Sequence, residues 1–195
     1  ALHYATKRAY EDLLISTVQS KDSVLIYIVN DYKENQEYDL LIEHVDYYGN
    51  RLGSKAKYTT VNGGSSKLAH SIALDEYLYL DSLENRSYLD IQILHNGEVK
   101  TRKLHHFVKT KYMDLPYTGI SYKVEKDSLG FVLELFSDAF MKDVMINSLH
   151  DGRFEDNYFD LPANERKHIR FYNEYPMEEF DVNNLTFYSI VDTYE

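Results

Sequence analysis

The side chains of this sequence that could do chemistry are its carboxylates, its imidazoles and its rings. There are 32 Asp and Glu residues, and two carboxyls flanking one bond can carry out acid/base hydrolysis. No spacing marks which two would oppose each other, and solvated strand and loop charges account for them equally. His105 and His106 are adjacent in an alternating run, so a strand would send their rings to opposite faces. A shared metal site is therefore not expected, and one ring should be packed and the other exposed. Asp151-Gly152 through Glu155-Asp156-Asn157 has the acidic density of a calcium loop but not the ligand spacing of an EF-hand; these residues are also ordinary turn formers. The sequence contains no G-x-S-x-G, no Cys and no phosphate-cradling glycine loop. The expectation is a chain with no catalytic residue, no metal site and no cofactor.

One segment is unusually dense. Gly152-Arg-Phe-Glu-Asp-Asn-Tyr-Phe-Asp-Leu-Pro162 sets Phe154, Tyr158 and Phe159 around Glu155-Asp156-Asn157. Asp and Asn side chains hydrogen-bond nearby backbone in turns, and aromatic rings anchor the flanking chain in a core. The pattern predicts a strand entering a tight corner, with a binding site as the alternative.

The elements that would hold these residues are strands. Period-two alternation recurs at 13–18, 38–45, 54–61, 68–74, 88–94 and 99–108, while Val24-Leu-Ile-Tyr-Ile-Val29 is continuously apolar, as a strand covered on both faces would be. Asn96-Gly97 between two alternating runs predicts a type I′ hairpin. The single helix-like piece of this half is 75–83. After a break at 109–116, strands are expected at 120–125, 130–136, 144–149, 153–158, 166–172 and 185–191, with a helical turn at 138–143 and an acidic loop at 174–184. Strands every 8–12 residues or so read as an all-β sandwich, and 195 residues suffice for two domains. The expected division is 1–112 and 113–195.

Charge supports that division. Residues 1–112 carry 14 basic and 15 acidic side chains, whereas 113–195 carry 7 and 17, most of the net −11. An acidic second half repels phosphate backbones, so nucleic acid is not an expected partner. No apolar run is long enough to span a bilayer as a helix, so no membrane partner is expected. The 19 Tyr residues suit pleated, half-buried surfaces; exposed ones could also stack on sugars, with Tyr47-Tyr48, Tyr77–Tyr79 and Tyr172–Tyr175 as candidates. The opening Ala1-Leu2-His3-Tyr4 reads as part of a longer protein.

Gly152-Arg-Phe-Glu-Asp-Asn-Tyr-Phe-Asp-Leu161 resembles the G-x-F-S-D-N-Y-F-D-L-L-P-G-E signature of the last Ig-like domain of β-mannosidases of glycoside hydrolase family 2. Ala1–Arg8 is similar to the stretch after the catalytic barrel, Lys103–Lys111 with Leu115-Pro116 to the passage between the two C-terminal domains, and Gly130–Leu135 with Lys142–Ile146 to the strands before the signature. Two departures stand out: Glu155 replaces the usual Ser, and Leu161–Glu165 is about one residue shorter, without the Gly after Pro. The resemblance implies two tandem immunoglobulin-like β-sandwich domains. Gly152, Phe154, Asp156, Asn157, Tyr158, Phe159 and Asp160 would form a structural corner. The parent enzyme would remove terminal β-linked mannose with retention, using two Glu residues on a barrel absent from this chain. The implied partners are that barrel and, as an alternative role, mannose-containing glycans; a periplasmic or secreted bacterial location is the matching expectation.

Overall fold

The computed structural model describes residues 2–77, 83–173 and 180–193, and the chain divides into two compact units. The first comprises Arg8–Asp46 and Asn50–Asp114; the second comprises Ala1–Lys7, Tyr47–Gly49 and Leu115–Glu195.

The first unit contains β1 (Leu13–Gln19), β2 (Ser23–Asn30), β3 (Gln36–Asp46), β4 (Arg51–Val61), β5 (Ser65–Ala73), β6 (Ser87–His95) and β7 (Glu98–His106). They form an antiparallel sheet β1-β2-β5 and an antiparallel sheet β4-β3-β6-β7. The inward residues of the two sheets, including Ile26, Ile28, Leu40, Ile42, Ile91 and Ile93, share one fully buried core. Asn96 and Gly97 take φ of 54° and 78°, the left-handed pair that a type I′ turn requires, and they join β6 to β7. β2 departs from expectation. Val24, Ile26 and Ile28 are buried, but Leu25, Tyr27 and Val29 remain partly exposed, so the strand is covered on one face and its apolar character continues onto the other. Of the expected helix at 75–83, Leu74–Tyr77 is helical (α2) and 78–82 lie outside the described residues.

The second unit contains α1 (Leu2–Ala9, which runs on to the start of the first), β8 (Ser121–Asp127), β9 (Gly130–Phe136), β10 (Met141–Ser148), β11 (Gly152–Phe154), β12 (Phe159–Leu161), β13 (Arg166–Asn173) and β14 (Leu185–Tyr188). Its sheets are β11-β13-β9-β8 and β12-β10-β14. Leu133, Leu135, Val144, Ile146, Ile169 and Phe171 fill the core between them. The helical turn expected at 138–143 does not form. Ala139 and Phe140 are buried, β10 begins at Met141, and Asp143 adopts φ 53° at a break in the ladder between Met141 and Val144. The expected strand 185–191 ends at Tyr188 and passes into a 3-10 turn. Of the loop expected at 174–184, 174–179 lie outside the described residues and Val182–Asn184 form a 3-10 turn capped by Asp181.

α1 was not legible as a helix. Its Ala, Leu, Lys and Arg favour helix, but eight residues are too few to stand alone. Tyr4 Oη donates to the Phe154 carbonyl at 3.1 Å, and Lys7 reaches the Glu155 carbonyl, so tertiary contacts fix it.

In the first unit Asp90 is 3% exposed. Arg102 Nε and Nη2 donate to its two oxygens at 2.8 and 2.5 Å, and Gln92 Nε2 adds a third bond at 3.0 Å. Removing one partner of a buried pair strands the other charge. Arg102→Met should therefore lower the stability of this unit by about 3–5 kcal/mol in urea unfolding. Combining it with Asp90→Leu should restore most of the loss; equal losses in the single and double variants would contradict this.

Candidate functional site

The dense segment lies where the chain changes sheets in the second unit. β11 pairs with β13, Phe154 facing Phe171, and Glu155 N still donates to the Arg170 carbonyl at 2.7 Å. Four residues later β12 pairs with β10 in the other sheet, Phe159 opposite Val144 and Leu161 opposite Met141. Of the expected strand 153–158 only Arg153 and Phe154 are strand, in β11; 155–158 form the corner, and β12 begins beyond the expected range at Phe159.

Crossing between sheets removes the ladder partners of nearby backbone, and such groups cannot be buried unpaired without cost. Asn157, 7% exposed, supplies them. Its Nδ2 donates to the Ile146 carbonyl at 2.8 Å, and its Oδ1 accepts from Ile146 N at 2.8 Å and Tyr158 N at 2.9 Å. The carboxamide replaces a peptide unit in the β10 ladder, and Tyr158, at φ 56°, turns the chain beneath it. Asp160 serves the same strand from beyond the corner: its Oδ1 accepts from Asp143 N at 3.1 Å and from Lys142 Nζ at 2.9 Å. Burial works against the charge on Lys142, but the Asp160 and Asp143 carboxylates outweigh it and hold its pKa above the ordinary value.

The remaining corner residues are placed by packing. Phe154 and Phe159 are buried. Phe154 meets the Phe171 ring at 5.0 Å, and Lys167 lies 4.7 Å over Phe159 while its ammonium sits 3.3 Å from Asp156. Gly152 cannot carry a side chain, because a Cβ would stand 2.5 Å from both the Phe171 ring and the Tyr172 carbonyl. Glu155, exposed, adds no side-chain demand where the resembled signature has Ser. Asn164 takes φ 63° in the turn after Pro162, a conformation Asn tolerates better than most residues. The corner therefore brings all seven singled-out residues into one hydrogen-bonded and packed unit, with their polar atoms directed mainly at the chain's own backbone and lysines.

The other candidates do not converge. His105 and His106 face opposite ways, as expected of a strand, but both are half-buried rather than one packed and one exposed. His105 bridges the two sheets of the first unit: Nε2 contacts Gln19 Oε1 and Nδ1 contacts Thr17 Oγ1, each at 3.0 Å, while Gln19 Nε2 donates to the Phe107 carbonyl. Because Gln19 must use its nitrogen on that carbonyl, its oxygen accepts, which places the His105 proton on Nε2. His106 lies against Tyr88 at 5.7 Å. Burial, then the charges of His106 and Lys103, push the His105 pKa down to about 4 from 6.5. Among the described residues no three His, Cys, Asp or Glu side chains cluster to hold a metal ion. Of the suggested stacking rings, Tyr47 is buried against Phe140 inside the second unit, while Tyr48 and Tyr172 are exposed, Tyr172 beside Arg153. The Tyr77 side chain, Tyr79 and Tyr175 lie outside the described residues.

Comparison with known proteins agrees with this architecture. Residues 22–112 match the mannosidase Ig/CBM-like domain, and residues 115–193 match the Ig-fold domain of mannosidases. The chain therefore belongs to the Ig-like domains of mannosidases, two in tandem. Among solved structures, the β-D-mannosidase from Dictyoglomus thermophilum aligns over 96% of this chain and 23% of its own, with a TM-score of 0.80 and 20% identity. The exo-chitosanase CsxA of Amycolatopsis orientalis aligns over 97% of this chain and 25% of its own, with a TM-score of 0.59 and 12% identity. The chain thus spans about a quarter of the length of these neighbours, and at such identities the likeness is one of fold. No curated protein matches the sequence significantly.

Two outcomes follow for this region. Asn157→Ala leaves both polar groups of Ile146 without their partner, at about 1–3 kcal/mol for each buried group. It should shift the unfolding transition of the second unit by about 2–4 kcal/mol and leave that of the first in place; an unshifted transition would remove the peptide-replacement account. For His105, the unfolded chain binds a proton between pH 6.5 and about 4 where the folded one does not, so acidification favours unfolding. The stabilising contribution is complete above pH 6.5 and is lost on descent through about 4. Urea midpoints of wild type and His105→Gln should stay at a constant difference above pH 6.5 and converge or cross below it; a pH-independent difference would contradict the shift.

Proposed function

We propose that this chain is the non-catalytic C-terminal part of a retaining exo-β-mannosidase of glycoside hydrolase family 2. The catalytic barrel would lie earlier in the same parent chain, and the two sandwiches would pack on it, stabilise it and shape the approach to its cleft. The corner at 152–160 would then be a folding device of the last domain and not a sugar site. In this reading the domains divide at 112/113.

The observation that carries the proposal is the outer face of the β1-β2-β5 sheet. An antiparallel sheet with one solvated face ordinarily alternates apolar inward and polar outward. Here most outward positions of β1 and β2 are apolar, and Leu14, Val18, Leu25, Tyr27, Val29 and Leu68 are brought together by the Leu14–Val29, Val18–Leu25 and Tyr27–Leu68 pairings, with Ser16, Ser66 and Ser71 as the polar residues among them. Val18 and Leu68 are 52% and 46% exposed. A contiguous apolar face of this kind marks a surface used by a partner, and the neighbours' fourfold greater length makes a larger domain of the same chain the fitting occupant. Mannose-containing glycans remain the alternative partner.

In the full-length parent, Leu25→Lys with Tyr27→Lys should lower the melting temperature and the yield of active enzyme, while the same pair leaves the isolated 195-residue chain folded. Full-length enzyme with unchanged melting temperature would contradict the packing role.

A further inference from the structure

At one end of the first unit the turns β2–β3 and β4–β5 are locked together. Asn30 is fully buried; its Nδ2 donates to the Glu34 and Asn62 carbonyls at 3.1 and 3.2 Å, and its Oδ1 accepts from Tyr32 N at 3.2 Å. Gly64 N donates to the Tyr32 carbonyl at 2.9 Å. Gly63 packs so closely that a Cβ would fall 2.1 Å from the Lys33 carbonyl. Both main-chain groups of Tyr32 are therefore held, yet its side chain is 42% exposed. Such fixation costs backbone freedom and leaves an aromatic ring presented at the surface in one place.

That ring borders a cleft of about 310 Å³ lined by Leu13, Tyr32, Gln36, Tyr38, His95 and Lys100, within the range of roughly 300–1,000 Å³ usual for small-ligand sites. Tyr38, 3% exposed, meets the His95 ring edge-on at 6.1 Å. His95 Nδ1 is 3.0 Å from the Glu37 carbonyl, which can only accept, so Nδ1 carries the proton and Nε2 of the neutral ring is an acceptor. Gln36 offers both a donor and an acceptor. Lys100 offers N–H donors, with its charge balanced by Glu98 at 2.6 Å. The lining thus combines aromatic surface with donors and acceptors and has no uncompensated charge. A pyranose ring has the complementary surface: an apolar C–H face for the tyrosine and hydroxyls, each donor and acceptor, for Gln36, His95 and Lys100. Anionic ligands find no free cation here, and purely apolar ones would leave the polar lining unpaired.

We propose that this cleft binds a short, uncharged pyranose oligosaccharide, with Tyr32 as the ring platform and Gln36, His95 and Lys100 as the hydrogen-bonding groups. The site lies at the turn end of the sandwich, on residues other than those of the apolar outer face, so its occupancy does not depend on the packing role.

The test is a titration of the 15N-labelled 195-residue chain with β-1,4-mannobiose and, separately, cellobiose, followed by amide shifts. Saturable shifts clustered at 32–38 and 95–100 with either sugar would support the site. Tyr32→Ala should weaken the affinity at least tenfold and Gln36→Ala several-fold, with the other amides unmoved in both variants. No saturable shift up to tens of millimolar of either sugar would overturn it, as would shifts centred elsewhere or affinities unchanged in both variants.

Discussion

A strand that leaves one sheet for the other must abandon its ladder, and the backbone groups it leaves behind must still be paired before they can be buried. That requirement governs the second unit. Asn157 meets it by giving Ile146 both an acceptor and a donor, and Asp160 meets it at Asp143. With these two side chains in place β10 keeps its pairing with β12 on either side of the break between Met141 and Val144, and with β14, and the core between the sheets can close. The aromatic residues around them then have fixed positions to pack into. The density of Asp, Asn and aromatic residues in this segment is thus explained by backbone pairing, and catalysis is not needed to account for it.

The first unit solves a different problem. Its two sheets share one aliphatic core, and His105 with Gln19 pins β7 to β1 across the sandwich edge. Its distinctive feature lies outside the core. The outer face of β1-β2-β5 carries Leu14, Val18, Leu25, Tyr27, Val29 and Leu68 among its serines, more apolar surface than a solvated sheet face ordinarily holds. The buried carboxylate of Asp90 in this unit is matched to Arg102.

Much of this was readable from the sequence, because period-two alternation and Asn-Gly chemistry are local signals. The strand runs at 13–18, 38–45, 88–94 and 130–136 lie in observed strands, and the hairpin at Asn96-Gly97 forms. The failures came where tertiary contacts override local pattern. α1 is held by Tyr4 and Lys7, whose partners are about 150 residues away. The segment 138–143 has helical composition, but Ala139 and Phe140 are drawn into the core. β2 reads as covered on both faces because hydrophobicity records a need for burial and not the element that meets it. The Tyr32 cleft was not legible because its lining residues come from five separate strands and turns.

The central claim is that this chain is an accessory body made to pack against a catalytic domain of the same protein. Its most direct test is association in trans: the 195-residue chain mixed with the separately produced remainder of its parent, followed by calorimetry. The account predicts a saturable complex whose catalytic part melts at a higher temperature than it does alone. Two components that neither bind nor change each other's melting temperature would contradict it.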